Sequence, residues 1–69
     1  MTHDQRIQLQ ERYARAIARH GAQRVARATN RARNVVMSVA LGTAREGSYV
    51  LAAQALPMLD QLDQEAPTA

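Results

Sequence analysis

Residues that stop helices recur at short intervals along this 69-residue chain: Gly21, Asn30, Gly42, Gly47 and Pro57 leave no uninterrupted stretch longer than 20 residues. Glycine, and asparagine better than most other residues, accept the left-handed conformation that ends a helix. Proline lacks the N–H that a helix interior needs. The residues between these breaks are mainly Ala, Arg, Gln and Leu, which are good helix formers. The chain is therefore built from short helices.

Residues 4–20 read as a first helix, capped by Thr2 or Asp4 and ended by Gly21. At 100° per residue, Ile7, Leu9, Tyr13, Ala14, Ile17 and Ala18 share its apolar half, which Arg6 and Gln10 interrupt. Gln8, Arg12, Arg15 and Arg19 lie opposite, and His20 sits where a helix C-terminal dipole favours it. Residues 22–29 form a second helix and Asn30-Arg31 interrupts it. Residues 32–41 form a third, closed by Gly42. Its Val35, Val36 and Val39 also suit a strand, but the polar spacing around them and Gly42 favour helix. Residues 42–47 read as a loop with a glycine at each end. Ser48 then caps a fourth helix over 49–63 with Tyr49, Ala52, Leu56, Leu59 and Leu62 inward. Pro57 kinks this helix or splits it near Ala55–Leu56. The expected fold is all-α, a compact bundle of four to five short helices, with one domain over 1–64 and a flexible tail at 65–69.

The material for a core is thin. Apolar residues make up 46% of the chain, but 14 of them are Ala, and neither Phe nor Trp occurs. A domain of this size buries only about 60% of its chain surface, so a partner subunit or tight helix packing is expected. Leu56, Met58, Leu59 and Leu62 give the fourth helix more large apolar residues than one thin core requires, and make it the candidate homodimer contact. Cys is absent, which excludes disulfides, zinc ribbons and thiol nucleophiles. His3 and His20 are too few and too isolated for a metal site. Asp60, Asp63 and Glu65 cluster, but no nucleophile, base or ligand spacing accompanies them, and an acidic helix end of this kind is usually solvated. An enzyme is not expected, nor a cofactor. No apolar run approaches the roughly 20 residues of a bilayer span. The N-terminus lacks the apolar region of a signal peptide, so a cytoplasmic protein without a membrane partner is expected.

The net charge of +3 is unevenly spread. All nine Arg lie in residues 1–45 with only Asp4 and Glu11 against them, while residues 46–69 carry four acids and no base. The body is thus +7 and the remainder −4. A basic body attracts a polyanion by neutralising phosphates and releasing counterions.

Two short helices joined by a tight turn outline a helix-turn-helix. Its packing requires an apolar-small pair on the first helix, a turn residue that accepts positive φ, and two apolar residues three apart on the second. Val25-Ala26, Asn30, and Val36 with Val39 meet these requirements in order. Residues 22–41 thus resemble the helix-turn-helix of the lambda-repressor/Cro-like and related phage and bacterial regulators. They depart from that family at the turn. Thr29 and Arg31 stand where apolar residues are usual, Asn30 replaces Gly, and Ala32 replaces a capping Ser or Thr.

The resemblance implies a sequence-specific DNA-binding transcription regulator, typically a repressor, that acts as a homodimer on an inverted repeat. The helix at 32–41 then reads the major groove, with Arg31, Arg33, Asn34, Met37 and Ser38 as base contacts. Gln23, Arg24, Arg27, Thr43 and Arg45 are the phosphate contacts by position. The degenerate turn and acidic C-terminal segment fit an alternative. In that reading the chain is a small phage-type regulator that binds a host protein, such as RNA polymerase or a repressor.

Overall fold

A computed structural model describes residues 1–65. They form five helices: α1 (His3–His20), α2 (Ala22–Thr29), α3 (Arg33–Leu41), α4 (Glu46–Gln54) and α5 (Leu56–Glu65). The all-α bundle of short helices is as expected, and the breaks at Gly21, Asn30 and Gly42 fall where expected.

Thr2, rather than Asp4, caps α1. Its hydroxyl accepts from the Gln5 N–H at 3.2 Å, and the Gln5 side chain accepts from the Thr2 N–H at 2.9 Å. This reciprocal pair satisfies two donors that a helix start leaves unbonded. Asn30 is left-handed (φ 55°, ψ 44°), and the next N–H, from Arg31, closes α2 on Ala26 O at 3.0 Å. Gly42 (φ 78°) ends α3 in the same way, with the Thr43 N–H on Ser38 O at 2.9 Å. Asn30 thus takes the left-handed position that glycine more often fills at a helix end.

The C-terminal half differs from expectation. Arg45 takes the N-cap position of α4, so Glu46 and Gly47 are helical and Ser48 caps nothing. Glu46 in the first turn suits the positive end of the helix dipole. The helix expected over 49–63, with a kink or a split near Ala55–Leu56, is split there into two helices that meet at Ala55. Pro57 cannot donate to the carbonyl four residues back, and it lies in the first turn of α5, where a missing N–H costs least. Glu65 belongs to α5 rather than to a tail, and accepts from the Gln61 side chain at 3.0 Å. The rest of the expected tail, 66–69, lies outside the described residues.

The core gathers Leu9, Tyr13 and Ala16 from α1, Val25 and Ala26 from α2, Val36 and Val39 from α3, Tyr49 and Ala52 from α4, and Leu59 from α5. Both tyrosines are inside, supplying the bulk that Phe and Trp would otherwise bring. The Tyr13 hydroxyl satisfies itself on Ala52 O at 2.9 Å, which ties α1 to α4. The buried stripe of α1 is rotated from the expected half. Ile7, Ala14 and Ala18 are exposed, whereas Ala16 is buried and Arg6 and Gln10 are half-buried. Arg6 meets Glu46 of α4 on this side, and Gln10 lies beside Gly42 at the end of α3.

The same packing removes most of the expected dimer contact. Leu59 is fully buried in the monomer's own core, and Leu56 and Leu62 pack against it. Only Met58 of the four remains exposed. The apolar surplus expected in the C-terminal helix is consumed by a core too thin to close without it.

Candidate nucleic-acid interface

Asn30, Arg31 and Ala32 join α2 to α3 as helix, three-residue turn and helix. Val25, Ala26, Val36 and Val39, the four residues this packing requires, are all buried. Thr29, which stands where an apolar residue is usual, is buried too. Its hydroxyl donates to Val25 O at 2.8 Å, so the polar atom is satisfied within the helix.

On the solvent side of this pair, Gln23, Ala26, Arg27, Asn30, Arg31 and Arg33 line one open cleft. Gln23, Arg27 and Asn30 follow a helical spacing along α2, and the turn brings Arg31 and Arg33 to the same mouth. No carboxylate lines it. Ala32 precedes α3 without a side-chain cap, so the first N–H groups of α3 add partial positive charge beside three guanidinium groups.

The absence of acids here has a structural cause. Glu46 pairs with Arg6 and, at 3.3 Å, with the N-terminal amine. Arg6 also lies over the Tyr49 ring, 5.6 Å from its centre. Arg12 reaches Asp60 at 3.2 Å and Asp63 at 2.8 Å. His20, with its side chain 2% exposed, bonds Asp63 at 2.6 Å. Thus Arg12 and His20, expected at solvent or at the helix dipole, instead anchor α5 through Asp63, while Asp60 and Glu65 stay exposed. The His20 hydrogen bond chiefly holds the Asp63 carboxyl below its ordinary range. The charges of Arg12 and Arg19 act in the same direction, and desolvation opposes them. Among the described residues Arg15, Arg19, Arg24, Arg27, Arg31, Arg33 and Arg45 make no ion pair.

The structure brings part of the expected contact set together. Gln23, Arg27, Arg31 and Arg33 share the cleft, and Asn34 is exposed on the next position of α3. Arg24 is exposed outside that lining. Thr43 and Arg45 are exposed beyond the far end of α3, about 12 Å of helical rise from Arg33. Met37 is half-buried rather than fully outward. Ser38 is half-buried too, with its hydroxyl donated to Asn34 O at 2.8 Å. Sequence reasoning missed Leu41, which is 65% exposed and the barest large apolar residue. Its signal was its place one turn beyond Met37 and Ser38, on the outward line from Asn34.

Among the described residues no helix is long and apolar enough to cross a membrane, and no group of His, Asp and Glu is placed to hold a metal ion. Compared with known proteins, the chain matches no family model, no curated protein and no solved structure.

Proposed function

We propose that this protein binds duplex DNA as a transcription regulator, with α3 in the major groove. In this reading Arg31, Arg33, Asn34 and Met37 face base edges, and Gln23, Arg24 and Arg27 hold the backbone. Two copies on an inverted repeat place their α3 helices about 34 Å apart, one DNA turn. The single observation that carries the reading is the acid-free cleft of Arg27, Arg31 and Arg33 on a helix, turn and helix. Folding directs three of the four C-terminal acids onto α1 and the N-terminus, so the α2–α3 face keeps its charge.

Selection from a random duplex pool tests it. Enrichment of a palindrome, with affinity falling steeply as salt rises, is the expected result. No enrichment, or retention indifferent to salt, overturns it.

Leu41 favours a second reading, in which the same face meets a protein. An apolar side chain this exposed on the outward line of α3 suits a protein partner better than a phosphate backbone. Co-purification of one host protein, lost in Leu41→Asp and without DNA retention by the parent, is its signature.

A further inference from the structure

Between α1 and the α4–α5 junction lies a groove of about 550 Å³. It exists because α5 packs on α2 and α4 and reaches α1 chiefly through side chains, Arg12 to Asp60 and Asp63, and His20 to Asp63. Its volume falls within the ~300–1,000 Å³ of small-molecule sites.

The groove is polarised along its length. Leu9, Ala53 and Leu56 supply its apolar lining, and Met1, 41% exposed, stands at its N-terminal end. Leu9 is only 5% exposed, so this floor is recessed rather than raised. Gln5 and Gln8 line the α1 side without charge. Within about 15 Å of helical rise from Gln5, the lining passes to Arg12 and Arg15. The N-terminal amine is engaged by Glu46 at 3.3 Å, so the positive charge open to a ligand lies at the arginine end.

We infer that this groove binds a small amphiphilic carboxylate, with its apolar body on Leu9, Ala53 and Leu56 and its head group on Arg15 and Arg12. Charge selects the head group. Among the described residues Arg15 makes no ion pair. Arg12 is held by Asp63 at 2.8 Å, while its contact with Asp60 is longer, at 3.2 Å, and the Asp60 side chain is 67% exposed. Asp60 therefore marks where a carboxylate meets Arg12, and a ligand that replaces it gives up only a solvent-screened contact. The guanidinium has five N–H donors, enough to keep Asp63 and take the newcomer. Depth selects a small molecule. A floor that lies below its rim is reached by a slim chain and not by the flat face of a protein. The groove shares no residue with the cleft of Arg27, Arg31 and Arg33, so the inference stands whether or not that cleft meets DNA.

Titration of the full chain with octanoate, followed by two-dimensional amide NMR, tests it. Saturable shifts gather at Gln5, Gln8, Leu9, Ala53 and Leu56. Octanol, which lacks the charge, and acetate, which lacks the apolar body, each bind at least about tenfold more weakly. Arg15→Gln weakens octanoate about tenfold, whereas Asp60→Asn strengthens it, because a competing carboxylate is gone. Ala53→Leu fills the groove and abolishes binding. Should that variant fold poorly, Gln8→Trp obstructs the rim at an exposed position and weakens binding instead. Arg27→Ala, outside the groove, binds octanoate like the parent. No saturation at millimolar octanoate overturns the inference, as does octanol binding as well as octanoate. So does a folded Arg15→Gln, Asp60→Asn or Ala53→Leu chain that binds octanoate as the parent does, or shifts that gather at Arg27, Arg31 and Arg33. A peptide of Leu and Glu that occupies the groove when octanoate does not overturns the small-molecule occupant.

Discussion

Arg12 of α1 and Asp63 of α5, 51 positions apart, meet at 2.8 Å. This contact decides where the molecule keeps its charge. Asp63, which pairs with Arg12 alongside Asp60, is unavailable to the α2–α3 face, and it also holds His20. Stability and surface potential are therefore coupled at this residue.

The depressed Asp63 carboxyl fixes the sign of an acid effect. A folded-state value below the ordinary 3.8 gives stability that is present above pH 3.8 and lost as pH falls through the depressed value. Thermal melts of the parent and Asp63→Asn should differ near neutrality, with the parent more stable. The two curves should converge in strong acid. A difference that persists at the lowest pH would show that the contribution of Asp63 is not its charge.

Arg33→Ala should weaken operator binding by about 1–3 kcal/mol and relax selection at one base. Arg27→Ala should instead weaken all duplexes alike and reduce the salt slope by about one unit. Fluorescence anisotropy across a salt series separates the two, and identical behaviour of both variants contradicts the division of roles.

Gly42→Ala should destabilise the fold by about 1–2 kcal/mol, because φ is +78° and only glycine adopts it freely. An added Cβ also lies 2.8 Å from Gln10 Oε1, at the end of a flexible side chain. Gln10→Ala in the same chain should recover the contact cost and not the backbone cost. Gly47→Ala, with nothing within 4 Å, should be stabilising by about 0.5 kcal/mol. Urea unfolding at low chain concentration reads all three.

Tyr13→Phe removes the hydroxyl from Ala52 O and should cost about 1 kcal/mol. Burial raises the phenol above its usual 10, against the opposing charges of Arg12 and Arg31. Stability from the neutral phenol is thus full below pH 10 and lost as pH rises through the raised value. The Phe variant should lack this alkaline loss, and melts above pH 10 check it.

Helix existence was legible because the breakers are local: Gly21, Asn30, Gly42 and Pro57 act on their own turns. The inward residues of α2 and α3 were legible because a tight two-helix pair leaves few ways to pack. The rotation of α1 was not. The half-burial of Arg6, Arg12 and His20 goes with Glu46, Asp60 and Asp63, all at least 40 positions away from the residues they pair with on α1. No periodicity within α1 records their arrival. Leu59 misled for a related reason, since a surplus of leucine looks the same whether a core or a second chain receives it. At the cleft, clustering of Arg was visible in the sequence, but its freedom from carboxylates required knowing where the acids fold.

The pairing of α1 with α5 also sets an order of events during synthesis. A ribosome makes all nine arginines before Glu46 appears, and Asp60 and Asp63 come later still. Until then the emerging chain has neither the carboxylates that settle Arg12 and His20 nor the leucine that fills the core. The nascent polypeptide is therefore at its most polycationic just before it acquires the carboxylates and the leucine that complete the fold.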